Sequence, residues 1–134
     1  MKKRESALWK KLKKETEHLI KWTRIENIAS SGTPDLLGCS VNTGYFTLEL
    51  KVSTSNGKVL LSPYQIAFNK TRYSLSKQAY ILVLDCSNKQ NPHEQWLLKL
   101  YGGDQAPRLA KHGLVDCVPI YAGTSFVKLV SCLM

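Results

Sequence analysis

The chain has no apolar run approaching the roughly 20 residues needed to span a bilayer. Its first residues are charged and lack the apolar stretch of a signal peptide. A soluble protein of the cytoplasm is the expectation. Cysteine is sparse: Cys39, Cys86, Cys117 and Cys132 lie far apart and form no Cys-x-x-Cys pair. That spacing argues against a zinc ribbon or a disulfide framework and leaves them as small apolar side chains. His18, His93 and His112 have no partner at ligand spacing and read as surface residues. Repeats, low-complexity tracts and inter-domain linkers are absent, so 134 residues make one domain with one substantial core.

Acid is also scarce. Ten Asp and Glu stand against nineteen Lys and Arg, a net charge of +9. Residues 1–24 carry +6 of it, through Lys2, Lys3, Arg4, Lys10, Lys11, Lys13, Lys14, Lys21 and Arg24 against Glu5, Glu15 and Glu17. Such a stripe raises affinity for phosphates by counterion release, and nucleic acid is the natural partner.

Hydropathy patterning predicts a helix over 5–21, in which Leu8, Trp9, Leu12, Thr16, Leu19 and Ile20 recur at helical steps. Glu5 and Glu15 share that stripe, and an inward carboxylate needs a partner. Strands are expected at 22–29, 35–41 and 45–52, the last two joined by turn chemistry at Asn42-Thr43-Gly44. Residues 53–60 read as a mobile loop. Ser62-Pro63-Tyr64-Gln65 then opens a helix to about Ser76, with a Ser cap, Pro in the first turn and Gln three residues after the cap. The cap accounts for Ser62 better than a nucleophile does. The apolar run 79–85 suits a central strand. Further pieces are expected at 95–101 (strand), 104–113 (helix), 117–121 (strand) and 124–133 (amphipathic). The order α-β-β-β-α-β predicts an α/β protein with a mixed central sheet flanked by helices. Trp9, Trp22 and Tyr64 read as core.

The residues that point to chemistry are Asp35, Glu49 and Lys51. Asp35 and Glu49 lie about equally far from the turn, so an antiparallel hairpin brings the two carboxylates together. Glu49 and Lys51 are two apart on one strand and share a face. Paired carboxylates suit a hard cation such as Mg²⁺ or Mn²⁺, with the backbone carbonyl of Leu50 as a further oxygen ligand. Beside them, Lys51 is placed to orient water or to stabilise charge at phosphorus.

Gly32-Thr33-Pro34-Asp35 followed by Leu48-Glu49-Leu50-Lys51 resembles the PD-(D/E)xK nuclease signature. With Leu61-Ser62-Pro63-Tyr64-Gln65 it is similar to the VRR-NUC branch of virus-type replication-repair nucleases, whose small stand-alone members are often phage-encoded. The likeness spans roughly 5–85, and nothing after 90 adds to it. It implies a restriction-endonuclease-like core and a Mg²⁺- or Mn²⁺-dependent DNA endonuclease. Asp35 and Glu49 would be its metal acids, Lys51 its catalytic lysine and Gln65 a helix residue supporting water or phosphate. Gln65 has the capping box as an equal alternative. A helix acid would complete the set, with Glu5 ahead of Glu15 and Glu26. Lys10, Lys13, Lys14, Lys58 and Lys70 would hold the DNA backbone. Junctions, flaps or nicked DNA are the expected substrates, with a homodimer for two-fold ones. The competing reading is a basic nucleic-acid-binding protein without catalysis.

Overall fold

A computed structural model of the protein describes residues 3–25, 32–87 and 96–133. In chain order the elements are helix α1 (Lys3–Thr16), strands β1 (Lys21–Arg24), β2 (Leu36–Ser40) and β3 (Gly44–Val52), helix α2 (Pro63–Ser76), strands β4 (Ala79–Leu84) and β5 (Leu98–Gly102), helix α3 (Ala106–His112), strand β6 (Tyr121–Gly123) and helix α4 (Phe126–Ser131). Short 3-10 turns flank α3. The six strands form one mixed sheet in sequential order. Only β3 and β4 run parallel, because the α2 crossover joins them; every other neighbouring pair is antiparallel.

Each face of the sheet carries its own apolar layer. Phe46, Leu48 and Leu50 of β3, with Leu82, Leu84, Leu98 and Leu100, pack against Leu8 and Leu12 of α1 and Leu129 and Val130 of α4. Ile81, Val83 and Tyr101 face the other way, toward Val59, Ala106 and Leu109. The apolar run in β4 is thus covered on both sides, as its lack of alternation requires. Phe46 stacks edge-on with Trp22 and Tyr80 at centroid distances of 5.6 and 6.2 Å. Its cross-strand partner is Gly38, where a Cβ would meet the Phe46 ring at 2.3 Å, so only glycine fits beneath that ring.

Several boundaries differ from the sequence expectation for identifiable reasons. Helix α1 stops at Thr16 rather than near residue 21. The Thr16 hydroxyl donates back to the Leu12 carbonyl at 2.6 Å and accepts from Trp22 Nε1 at 2.9 Å, while the amides of Leu19 and Ile20 both turn onto the Thr16 carbonyl. A tight turn, not another helical turn, delivers Ile20 to the core. The C-terminal strand is Tyr121–Gly123, paired with Leu98–Leu100, rather than 117–121. The loop after β3 is tied down: Thr54 N–H donates to the Lys58 carbonyl at 2.9 Å, and Leu114 N–H to the Gly57 carbonyl at 3.0 Å. Tyr64, expected in the core, is exposed, whereas Trp9 is buried and Trp22 half-buried. The expected strand from 22 to 29 is seen through Arg24; residues 26–29, with Glu26, lie outside the described residues, as does His93.

Among the described residues no helix is long and apolar enough to cross a membrane.

Candidate active site

The register of the β2–β3 hairpin sets the site. Leu36 pairs with Leu48, so one further step places Asp35 opposite Glu49. The amides of Thr47 and Ser53 donate to β4-side carbonyls, those of Gln78 and Leu84. Odd-numbered residues of β3 therefore bond toward β4, and Glu49 makes no backbone bond to Asp35. This is the non-hydrogen-bonded type of cross-strand pair, in which opposing side chains stand closest. The Asp35 carbonyl in turn accepts from Ile25 N–H at 2.8 Å, on the β1 side.

Asp35 is also held through its side chain, since Oδ2 accepts the Leu50 N–H at 2.8 Å. A strand residue presents its N–H and C=O to the same edge, so the Leu50 carbonyl projects to Asp35's side of β3, past the start of β2. The preceding turn is placed by Gly32. Its φ is +85°, and an added Cβ would stand 2.5 Å from the Tyr64 carbonyl oxygen in the first turn of α2. Close backbone approach and positive φ both require glycine there.

Glu49 is buried, with 1% of its surface exposed. Burial, then the hydrogen bond and the charge of Asp35, push its carboxyl far above the ordinary carboxylate range. Lys51 pulls the other way, and Glu5 adds a smaller upward push. Glu49 Oε1 has no hydrogen-bond partner among the described residues. A buried carboxyl pushed toward its protonated form beside a second carboxyl, with an orphaned oxygen, is short of positive charge. A divalent cation fits that deficit.

Past the acid pair, at the end of β3, Lys51 lines a pocket of about 370 Å³ together with Arg4, Glu5, Val52, Ser53 and Leu60; Asp35 and Glu49 are not on its wall. Glu5 and Lys51, singled out in the sequence, share this pocket. So does Arg4, which sequence reasoning counted only as charge; its position beside Glu5 was the available signal. Arg4 Nη1 also reaches Cys86 Sγ at 3.2 Å. Ser53 is fixed by accepting the Cys86 N–H at 2.8 Å. No group of three or more His, Cys, Asp or Glu side chains among the described residues is arranged to hold a metal ion. Asp35 and Glu49 are the adjacent acids, and Glu5 lines the neighbouring pocket and raises the Glu49 carboxyl through its charge. Glu15 is exposed on α1 and does not join them.

Gln65 completes the capping box of α2. Its Oε1 accepts the Ser62 N–H at 3.0 Å, and its own N–H donates to Ser62 Oγ at 3.1 Å. The cap occupies Oε1 and leaves Nε2 as the group for any second role. Lys10, Lys13, Lys14, Lys58 and Lys70 are all exposed, and Lys13 lies over the Trp9 ring at 5.8 Å. Among the described residues the other buried acid is Asp85, and it is satisfied elsewhere. Burial raises its carboxyl, but hydrogen bonds from Ser87 and from Lys99, at 3.0 Å, outweigh that and hold it below the usual range. All four cysteines are free.

No protein-family model matches this chain, and no curated protein matches it in sequence.

Proposed function

We propose that the protein is a metal-dependent nuclease that hydrolyses DNA phosphodiester bonds at the Asp35–Glu49–Lys51 cluster. The observation that carries this reading is the pairing of a buried Glu49 with Asp35, directly across a hairpin, with Lys51 on the same face. A structural ion pair would not need two carboxyls in mutual contact. Such a contact is costly unless something positive is taken up between them.

Asp35, Glu49 and the Leu50 carbonyl would hold Mg²⁺ or Mn²⁺, which accepts one or two protein carboxylates and completes its shell with water and phosphate oxygen. The chemistry such an ion supplies when bound is Lewis acidity toward the phosphate and acidification of water. Lys51, placed at the pocket two residues along the strand, orients the attacking water and faces the charge that develops at phosphorus. Arg4, lining the same pocket, meets the phosphate with a planar fork of donors. The exposed lysines of α1, with Lys58 and Lys70, hold neighbouring phosphates by salt-sensitive attraction. Two copies of the chain would serve a two-fold symmetric substrate such as a junction, one site per strand.

The test is a cleavage panel of four-way junction, flap, nicked, single-stranded and linear duplex DNA with Mg²⁺ or Mn²⁺. Wild type cleaves at least one of these, and Asp35→Ala cleaves none at a comparable rate, while chelation abolishes the activity. Metal-independent binding that Asp35→Ala leaves intact, with no cleavage of any substrate, would instead mark a nucleic-acid-binding protein.

A further inference from the structure

A second concavity lies on the same face of the sheet as the acid pair. By strand alternation Tyr45, Thr47, Glu49 and Lys51 share one face of β3, and their cross-strand neighbours there are Cys39, Leu37 and Asp35. Thr47 is about 7 Å and Tyr45 about 13 Å from Glu49 along the strand, at about 3.3 Å per residue. Between this row and α2 is a groove of about 190 Å³, lined among others by Tyr45, Thr47, Phe68, Arg72 and Gln78.

Its chemistry is that of a platform for a single flat ring. Tyr45 is 68% exposed, so its ring is open to a stacking partner. Phe68 offers a second ring, and the Arg72 guanidinium lies over it, 5.0 Å from the centroid. Stacking on aromatic faces is open to every base, and a guanidinium stacked in this way still presents donors to a phosphate. Polar groups are present at the floor. Thr47 Oγ1 has no hydrogen-bond partner among the described residues, and Gln78 contributes an amide. The volume is below the roughly 300 Å³ at which pockets for drug-sized ligands begin, so one base fits and a base pair does not.

We propose that this groove takes one unpaired nucleotide of the DNA, a few nucleotides from the bond that is cut. The nucleotide's base stacks on Tyr45 with its edge toward Phe68, and its phosphate meets Arg72. This inference rests on the nuclease reading and sharpens it: the substrate is DNA carrying an unpaired nucleotide near the scissile phosphate, not continuous duplex.

Two duplexes test it, each carrying one 2-aminopurine, in a flap in the first and base-paired in the second. Binding is read by 2-aminopurine fluorescence with the metal chelated, and cleavage is read separately with Mg²⁺. Wild type quenches the unpaired probe, and Tyr45→Ala and Arg72→Ala each weaken its binding about tenfold, within the range for loss of one stacking or phosphate contact. With Mg²⁺, the ratio of cleavage rates on unpaired and paired DNA falls toward one in both variants. Both side chains are exposed, so the variants are expected to fold. The same quenching and the same rate ratio in wild type and Tyr45→Ala would overturn the proposal. Quenching that depends on Tyr45, with no cleavage of either DNA, would uphold the groove and sink the nuclease reading alone.

Discussion

Lys51→Ala lowers the rate of Mg²⁺-dependent cleavage by about 10² to 10³, the usual consequence of removing one electrostatic contact to a developing charge. The same change moves Mn²⁺ affinity by less than about tenfold, because two opposed effects accompany it. Loss of the ammonium removes a repulsion from the metal, and it also removes a neighbour that lowers the Glu49 pKa, so a proton competes harder for the site. Glu49→Ala, by contrast, takes away a ligand and loses metal affinity and cleavage together. Single-turnover rates at saturating Mn²⁺, beside calorimetric affinities, separate the two variants. If Lys51→Ala and Glu49→Ala lose rate and affinity in the same proportion, Lys51 is a ligand-supporting residue and not a participant in the chemistry.

The second large effect is on stability. Glu49 is a carboxyl whose folded-state pKa lies far above its unfolded value, so between the two the native state binds more protons than the unfolded state. Unfolding free energy from this group is therefore complete near and below the ordinary carboxylate pKa of about 4.3, and is lost as pH rises above it. Glu49→Gln keeps the shape, carries no charge and has no proton to lose. With metal chelated, this variant is more stable than wild type by on the order of 3 kcal/mol at about pH 8, since each tenfold difference in proton affinity between the folded and unfolded chain corresponds to about 1.4 kcal/mol. The two converge at about pH 4. Urea unfolding at a series of pH values reads the difference, and parallel pH profiles for the two proteins would remove the strained carboxyl from the account.

The site was legible where local rules set it. Turn residues at Asn42-Thr43-Gly44 fix the hairpin register, and that register alone makes Asp35 meet Glu49. Period-two alternation puts Lys51 on the face of Glu49, and the Ser62–Gln65 cap follows from residue type and spacing. What was not legible depends on how separate elements pack. Of three candidate acids near α1 and β1, pattern put Glu5 ahead of Glu15 and Glu26 without settling the choice. Glu5 lines the pocket and Glu15 does not, and that difference arises from where the start of α1 crosses the end of β3. Tyr64 has the aromatic character of a core residue, yet it stands exposed in the first turn of α2, where Gly32 packs against its backbone. The end of α1 at Thr16 depends on a hydrogen bond from Trp22, six residues on, which helical periodicity cannot register.

Calorimetric titration of Mn²⁺ into the wild-type protein and into Asp35→Asn, at about pH 7 and in two buffers of different ionisation enthalpy, tests the metal site most directly. Wild type is expected to take up Mn²⁺ with release of close to one proton, the one held by Glu49. Asp35→Asn is expected to lose that binding. An isotherm that Asp35→Asn leaves unchanged, or the absence of Mn²⁺ binding in wild type, would contradict the assignment of these two carboxyls as metal ligands.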